Sequence, residues 1–195
     1  MFEIVKDKIL YQATNWDYKI GDIIEFGKTR NGQAKRVFEQ TFLMPNGQSA
    51  DVFLKEKINN NQLLSMEDMK AVQNIVNGYE FCLREIGMEI ERRKKYPDCP
   101  SRLKGMFLTD KLEIAKEYIG AQKGRDCKST AKVVVVKLNG RLLKSNNSFN
   151  ARDGKSIDQF AEQSNKYWQG VDKGYEHKFN EFLFEGTAEV VDIIK

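Results

Sequence analysis

The stretch from Ser65 to Lys95 constrains the fold of this chain most, because its apolar residues follow a single helical repeat. Ser65 and Asp68 form the sequence pattern of a capping box, which marks the first turn of a helix. Apolar residues then recur at steps of three and four, at Met66, Met69, Val72, Val76, Tyr79, Leu83, Ile86 and Ile90. This spacing places them on one helical face, so we expect a long helix at about residues 65–95 that packs this face against a sheet.

The same spacing leaves a second interpretation open. Alternating steps of three and four also suit the seam of a coiled coil, so a homodimer through the helix at residues 66–90 is the alternative. Gly78 and Gly87 lower the helix propensity locally, and a kink or a break is expected near them. The basic run at residues 92–95 suits the carboxyl end of the helix, where the helix dipole favours positive charge.

The rest of the chain alternates short β-rich runs with two further helix signals. The run KVVVVKL at residues 132–138 is apolar enough to predict a central strand. Asn139-Gly140 predicts a hairpin turn into residues 141–144. We expect the last two strands, residues 178–184 and 188–194, to be joined by a turn at Glu185-Gly186-Thr187. Other strands are predicted at residues 8–14, 22–26 and 106–108, and helices are predicted after Asp110 and Ser156.

Composition limits the class of protein. With 195 residues, of which 41% are hydrophobic and 31% charged, we expect a single domain over residues 1–195. The predicted order of short strands and helices makes its class α+β. The net charge of +4 permits contact with nucleic acid or phosphate-bearing ligands without requiring it. The segment MFEIVKDKIL lacks the apolar run of a signal peptide, and no run is long enough to span a membrane. We therefore expect a cytoplasmic protein with no membrane partner.

Metal and histidine chemistry are poorly supported by the sequence. Cys82, Cys99 and Cys127 are odd in number and widely spaced, without a CxxC pair, so we predict neither a disulfide framework nor a zinc site. His177 is the only histidine, which excludes a site with two histidine ligands, and a surface position is expected for it. We therefore predict no bound metal.

Several polar residues stand out as candidates, each with a structural alternative. Gln12 lies on a face of the first strand that we expect to be buried, where its amide either satisfies neighbouring backbone or binds a ligand. Residues 28–36 form either a solvated basic loop or an arm that contacts phosphate. Glu181 lies on a partly apolar strand face and is either paired with a surface lysine or functional. Residues 97–120 combine a stiff turn, a glycine, a short strand and a helix start, as expected of a pocket wall.

Three short motifs resemble the mono-ADP-ribosyltransferase superfamily, the fold shared by diphtheria-type toxins and poly(ADP-ribose) polymerases. Residues 9–14, ILYQAT, are similar to its first-strand Leu-Tyr-Arg-Gly-Thr or Leu-His-Gly-Thr pattern, and residues 105–109, GMFLT, to its middle strand. Residues 180–186, NEFLFEG, are similar to its strand that bears the catalytic glutamate. The segments PSR at 100–102 and YWQG at 167–170 resemble uncharacterised bacterial and phage members. The resemblance covers most of the chain outside residues 27–62 and implies split β-sheets with flanking helices.

The resemblance also implies a mechanism and a set of site residues. NAD, as substrate, would lie in a cleft and lose nicotinamide through an oxocarbenium-like transition state, with ADP-ribose passing to a protein or nucleic-acid acceptor. Glu181 would be the catalytic residue, which hydrogen-bonds the nicotinamide ribose and stabilises the developing positive charge. The NAD-binding residues implied by the family pattern are Gln12, Thr14, Arg102, Phe107, Thr109 and Tyr118. Among these, Phe107 or Tyr118 would stack on nicotinamide, Thr109 would support the glutamate and Arg102 would contact the pyrophosphate.

The sequence departs from the family pattern at two positions. Gln12 stands where the family has an arginine or histidine, so this position brings no charge to the pyrophosphate. Phe179 lies two residues before Glu181, so the Glu-x-Glu signature that accompanies arginine modification is absent. These departures leave open a catalytically inactive domain of the same fold that binds a nucleotide, nucleic acid or a protein partner.

Overall fold

The computed structural model describes residues 2–125, 130–150, 156–171 and 180–194, and His177 and Cys127 lie outside these residues. The described chain is α+β. Its strands are β1 (Glu3–Thr14), β2 (Ile23–Phe26), β3 (Met106–Leu108), β4 (Lys132–Asn146) and β5 (Asn180–Ile194). Its α-helices are α1 (Gly32–Glu39), α2 (Ala50–Asn59), α3 (Met66–Lys95), α4 (Leu112–Arg125) and α5 (Ile157–Trp168), and a short 3₁₀ helix, Asn147–Asn150, follows β4.

The five strands form one antiparallel sheet in the order β1-β4-β5-β2, with β3 also paired to β5. The sheet curls until its two sides meet. The main chains of Tyr11 in β1 and Thr109, just after β3, exchange two hydrogen bonds of 2.9 Å. The ring of pairings β1-β4-β5-β3-β1 is therefore closed, as in a small barrel. The resemblance predicts two split sheets, whereas the described strands are all hydrogen-bonded into one.

The two turns expected from the sequence lie inside two long continuous strands, β4 and β5. Asn139-Gly140 and Gly186-Thr187 do not reverse the chain but lie opposite each other, with Gly140 in register with Gly186. Gly186 has a φ of 141°, and a Cβ built on it would lie 2.8 Å from the Cα of Gly140. The two backbones thus approach too closely for side chains. Beyond this point β5 changes its outer neighbour from β3 to β2, so the glycine pair divides the sheet into two halves.

The interior of the curled sheet is filled by alternate apolar side chains. Phe182 and Phe184 of β5 point into it, together with alternate apolar residues of β1, β3 and β4, whereas Leu183 points the other way into a second cluster. That second cluster lies between the outer surface of the sheet and the helices α3 and α5, and includes Met88 and Trp168. Period-two alternation thus separates a barrel core from a sheet–helix core.

Helix α3 has the predicted bounds and the predicted capping box, but a different face is buried. The residues that face the protein interior are Ile75, Gly78, Cys82, Glu85, Met88 and Glu89. Of the apolar stripe expected to pack on the sheet, Met66, Met69, Val76, Tyr79, Leu83 and Ile90 are exposed. The helix also continues through both glycines, and each is packed closely by a ring that leaves no room for a side chain: Phe42 against Gly78 and Phe160 against Gly87. The prediction that the stripe packs on the sheet is therefore wrong.

The basic segment at residues 28–36 is not a plain loop. It includes the first turn of α1, which Asn31 caps by accepting a hydrogen bond from the Ala34 amide at 2.9 Å. The same Asn31 side chain donates to the carbonyls of Arg102 and Gly105, at 2.8 and 2.7 Å. This segment is therefore fixed to the loop that precedes β3. In the part of the chain that is described, no helix combines the length and apolarity that crossing a bilayer requires.

Replacing Gly186 by alanine tests the close approach of β4 and β5. We expect the substitution to lower the free energy of unfolding by about 2–4 kcal/mol, since it adds both positive-φ strain and a backbone overlap. Gly21→Ala is the matched control, because Gly21 has a φ of 92° but no atom lies within 4 Å of the position that an alanine Cβ would take. Urea unfolding of both variants would measure the difference, and equal losses would show that strand approach contributes nothing.

Candidate functional site

A buried ion cluster joins α3, the loop before β3, and β5. Two turns of α3 place Glu85 and Glu89 on the face that points at this loop, four residues apart. Arg102 extends from the loop into this space and is 2% exposed. Its Nε donates to Glu85 Oε2 at 2.8 Å and its Nη2 donates to Glu85 Oε1 at 3.2 Å, which is the two-bond geometry of an arginine–carboxylate pair.

The remaining guanidinium nitrogen of Arg102 reaches the strand that bears Glu181. Its Nη1 donates to Glu181 Oε1 at 2.5 Å and to the hydroxyl of Tyr167 at 2.6 Å. The Tyr167 hydroxyl in turn donates to Glu181 Oε1 at 2.6 Å. One carboxylate oxygen of Glu181 is therefore fixed by two donors from different elements. Among the described residues, its Oε2 accepts no hydrogen bond.

The charges in this cluster stabilise one another despite burial. Burial by itself would raise the pKa of Glu85, but the charge of Arg102, and then that of Arg84, outweigh it, so the pKa lies below its ordinary value. Burial also acts against the charged form of Arg102, yet Glu181 and Glu85 hold its pKa well above the usual value. Burial raises the pKa of Tyr167 well above that of a free tyrosine, so its hydroxyl stays protonated and remains a donor.

A second network fixes the same loop from the other side. Ser101 donates its hydroxyl to Glu89 at 2.9 Å, and its amide donates to Glu185 of β5, also at 2.9 Å. Glu185 is held by Arg141 at 2.7 Å. Burial opposes ionisation of Glu89, but Arg92 and Ser101 lower its pKa below the ordinary value. Together with Glu85 and Glu181, which bind Arg102, four carboxylates thus hold the loop before it enters β3.

Glu181 also lines a small cavity of about 200 Å³. The cavity is formed by the end of β1, by β3 and the residue after it, by α4, and by the junction of β4 with the 3₁₀ helix. Its lining residues are Tyr11, Ala13, Phe107, Leu108, Thr109, Tyr118, Asn147, Asn180 and Glu181. Partial burial, followed by the negative charge of Glu181, raises the pKa of Tyr118. A carboxylate with one oxygen fixed by donors thus borders a cavity walled by aromatic rings and amides.

A second cavity, of about 350 Å³, lies on the other side of Phe107, which lines both. It is bordered by the ends of β1 and β2 and by the first turn of α1, and includes the cations Arg30 and Lys104. Gln12 lines it with its Oε1 buried and without a hydrogen-bond partner among the described residues. The expectation that neighbouring backbone satisfies this oxygen is not met in this part of the structure.

The structure brings together some of the predicted residues and separates others. Glu181, Phe107, Thr109 and Tyr118 share the smaller cavity, whereas Gln12 lines the larger one. Thr14 is buried, and its hydroxyl accepts a hydrogen bond from the Trp16 amide at 3.1 Å, which caps the end of β1.

Of the predicted site residues, Arg102 has the position that differs most from the expected one. The family resemblance places it at the mouth of the cleft, but it lines neither cavity, and Glu85, Glu181 and Tyr167 occupy its donors. The guanidinium stacks 4.9 Å from the ring of Phe107. The interaction expected of Glu181 with a surface lysine is replaced by its bond to this arginine.

Sequence reasoning missed Glu85 and assigned no site role to Tyr167. Both belong to the face of a helix that turns inward, and the only signal for Glu85 is that it follows Ile75, Gly78 and Cys82 at helical spacing. A glutamate that continues a row of small and apolar residues is a candidate for a buried, paired carboxylate. The more obvious apolar stripe concealed this row.

Two further findings concern metal binding and the family to which the chain belongs. Within the described ranges no group of three or more histidine, cysteine or acidic side chains could hold a metal ion. The chain belongs to the family described as "Protein of unknown function (DUF2441)", whose model matches residues 4–195. No curated protein matches the sequence with significance.

Glu85→Gln tests the buried cluster. We expect it to lower the free energy of unfolding by about 3–5 kcal/mol, because it removes one charge from a buried pair and leaves Arg102 undercompensated. Glu162→Gln is the control, since Glu162 forms an exposed pair with Lys166 on α5 and little change is expected. Chemical denaturation at neutral pH measures both, and a small loss at Glu85 would contradict the assigned role.

The pH dependence of stability gives a second test. The folded-state pKa values of Glu85 and Glu89 lie below the ordinary value of 4.5, so the unfolded chain binds protons at higher pH than the folded chain. Their contribution is therefore complete above about pH 5 and is lost as the pH falls through the lowered values. Denaturation from about pH 3 to 7 should show a shallower acid loss in Glu85→Gln than in the wild type. Parallel curves would argue against this linkage.

Proposed function

We propose that this member of the DUF2441 family is an NAD-dependent ADP-ribosyltransferase with an ADP-ribosyltransferase-like fold. In the proposed reaction the bond between ribose C1′ and the nicotinamide nitrogen breaks, and nicotinamide leaves. A nucleophilic atom of a protein or nucleic-acid acceptor then bonds to C1′ and loses its proton. The observation that supports this most is the position of Glu181, held by Arg102 and Tyr167 at the wall of a small cavity.

The environment of Glu181 suits the electrostatic part of this chemistry. Arg102 and Tyr167 both donate to the same oxygen, which fixes the direction of the carboxylate. The side chain is 14% exposed, so its charge is little screened by solvent. A fixed carboxylate in such a place stabilises positive charge that develops on a ribose, and its second oxygen can accept a bond from a ribose hydroxyl.

The two cavities suit a ligand with two parts. Phe107 lines both, so it would stack on the nicotinamide at the smaller cavity or separate the two halves of the dinucleotide. Tyr118 is the alternative stacking ring, and Thr109 lies in the same wall as Glu181. In the larger cavity, Arg30 and Lys104 supply the positive charge that Arg102 does not offer to a pyrophosphate, and Gln12 offers its unpaired amide oxygen.

The second candidate is a catalytically inactive domain that binds a nucleotide or a nucleic acid. The observation that favours it is that Gln12 is uncharged and lines a different cavity from Glu181. Binding would then use the cations of the larger cavity, with Arg30 also stacked 4.4 Å from the ring of Phe38. In this case the only role of Glu181 is to balance the charge of the buried Arg102.

Glu181→Gln distinguishes the two candidates. We expect the wild-type protein to release nicotinamide from NAD and the variant to do so about 10²–10³-fold more slowly, because the charge that stabilises the transition state is lost. Glu189→Gln on the same strand is the matched control, since Glu189 pairs with Lys137 near the surface. Nicotinamide release is followed by chromatography, with calorimetry of NAD binding to each variant.

The outcomes separate the candidates from each other. NAD binding without nicotinamide release in the wild type, with any acceptor mixture, would support the inactive domain and contradict the enzyme. If the wild-type protein neither binds NAD nor releases nicotinamide, both nucleotide proposals are contradicted. For nucleic acid, binding of single-stranded DNA and RNA is measured against salt, and a slope near zero would argue against phosphate contacts by Arg30 and Lys104.

A further inference from the structure

We infer that the protein forms an antiparallel homodimer through the exposed apolar face of α3, independently of the proposed function. The face, which we call the α3 seam, has the strict heptad steps of three and four over three repeats. Its residues are Met69, Val72, Val76, Tyr79, Leu83, Ile86 and Ile90. It extends over about 32 Å at 1.5 Å per residue.

The α3 seam is distinct from the face that holds the domain together. The residues that pack inward, such as Cys82 and Met88, lie on a different side of the helix. Leu83 is 69% exposed, and Met69, Val76, Tyr79 and Ile90 are between 45% and 54% exposed. Within the domain, Val72 packs against the cluster of Phe53 and Ile75, and Tyr79 lies 5.1 Å from the ring of Phe42. Most of the row still faces outward, and a second helix with the same repeat would bury it by knobs-into-holes packing.

A second copy of the chain fits the seam better than an unrelated partner because of the charges along α3. The first turn is acidic, with Glu67 and Asp68. The last turn has a net positive charge, because the four cations at residues 92–95 outnumber Glu89 and Glu91, with which three of them pair. Antiparallel pairing about an axis near Tyr79 and Glu80 sets each acidic turn beside the basic turn of the partner. Parallel pairing would instead place the two basic turns together. The helix is thus complementary to itself in one orientation, as a two-fold interface requires.

The middle of the seam is also compatible with self-association. Between Met69 and Leu83, the polar residues that directly flank the seam are Gln73 and Glu80, and only Glu80 is charged. The two copies of Glu80 approach each other near the axis and form the one like-charged pair on this border, while opposite charges lie at the ends. The arrangement has the apolar centre and charged rim that are typical of protein interfaces.

The solution mass tests the dimer. Wild-type protein at about 50 µM should sediment at twice the 22.6 kDa chain mass, since a three-heptad interface is expected to give micromolar affinity. Val76→Glu/Leu83→Glu should weaken dimerisation by more than about 100-fold and give a monomer. The control is Ile20→Glu/Ile157→Glu, which changes two exposed isoleucines outside the seam and should leave the dimer intact.

A monomeric wild type, or a seam variant that remains dimeric, would overturn the inference. Circular dichroism of each variant verifies the fold. If the double seam variant unfolds, Leu83→Ser alone replaces it, and we expect this variant also to sediment as a monomer.

Crosslinking tests the orientation. With a short bismaleimide reagent, Glu80→Cys should crosslink to itself in the partner, because it lies near the axis. Lys94→Cys should not, because antiparallel pairing separates the two copies of this residue by about 44 Å along the helices. Wild-type protein measures the background from its native cysteines. Crosslinking at residue 94 without crosslinking at residue 80 would indicate parallel helices and overturn the proposal.

Discussion

The structure depends on the burial of the Arg102 guanidinium between two carboxylates. A lone guanidinium in this position would be strongly destabilising, and the cluster is tolerated because Glu85 and Glu181 supply charge and Tyr167 supplies a further partner. Each partner comes from a different element: α3, β5 and α5. The cluster therefore fixes how the helices sit on the outer surface of the curled sheet, and it also fixes the carboxylate that we propose as catalytic.

This arrangement links stability and proposed chemistry in one group of residues. Glu85 lines neither of the two cavities described above and acts through Arg102, so it is a positioning residue for Glu181. Ser101 and Glu89 hold the same loop through separate bonds, so loss of one anchor need not release it. The loop then enters β3 through Gly105, where a Cβ would lie 2.9 Å from the carbonyl oxygens of Ser101 and Phe184. The glycine thus permits a close approach of this loop to β5.

Two features were misjudged from the sequence for the same physical reason: local signals do not specify the tertiary partner. Asn139-Gly140 and Gly186-Thr187 have the composition of turns, but the two glycines face each other across a strand pair and serve a close approach. In α3, two rows of residues have helical spacing, and the more apolar row is the exposed one. The buried row has its partners far along the chain: Glu85 pairs with Arg102, seventeen residues away.

The sequence by itself determined the α+β class, the bounds and capping box of α3, the capping box of α5, and the strand that bears Glu181. These follow from local periodicity and from hydrogen bonds between residues three positions apart. It also pointed to residues 97–120 and to Glu181 as neighbours of a site. Only the tertiary structure decided that Arg102 is buried with Glu85 and Tyr167, that Gln12 and Glu181 line separate cavities, and that β4 and β5 run through their glycines. Those outcomes depend on contacts between residues distant in sequence, whose partners no local pattern identifies.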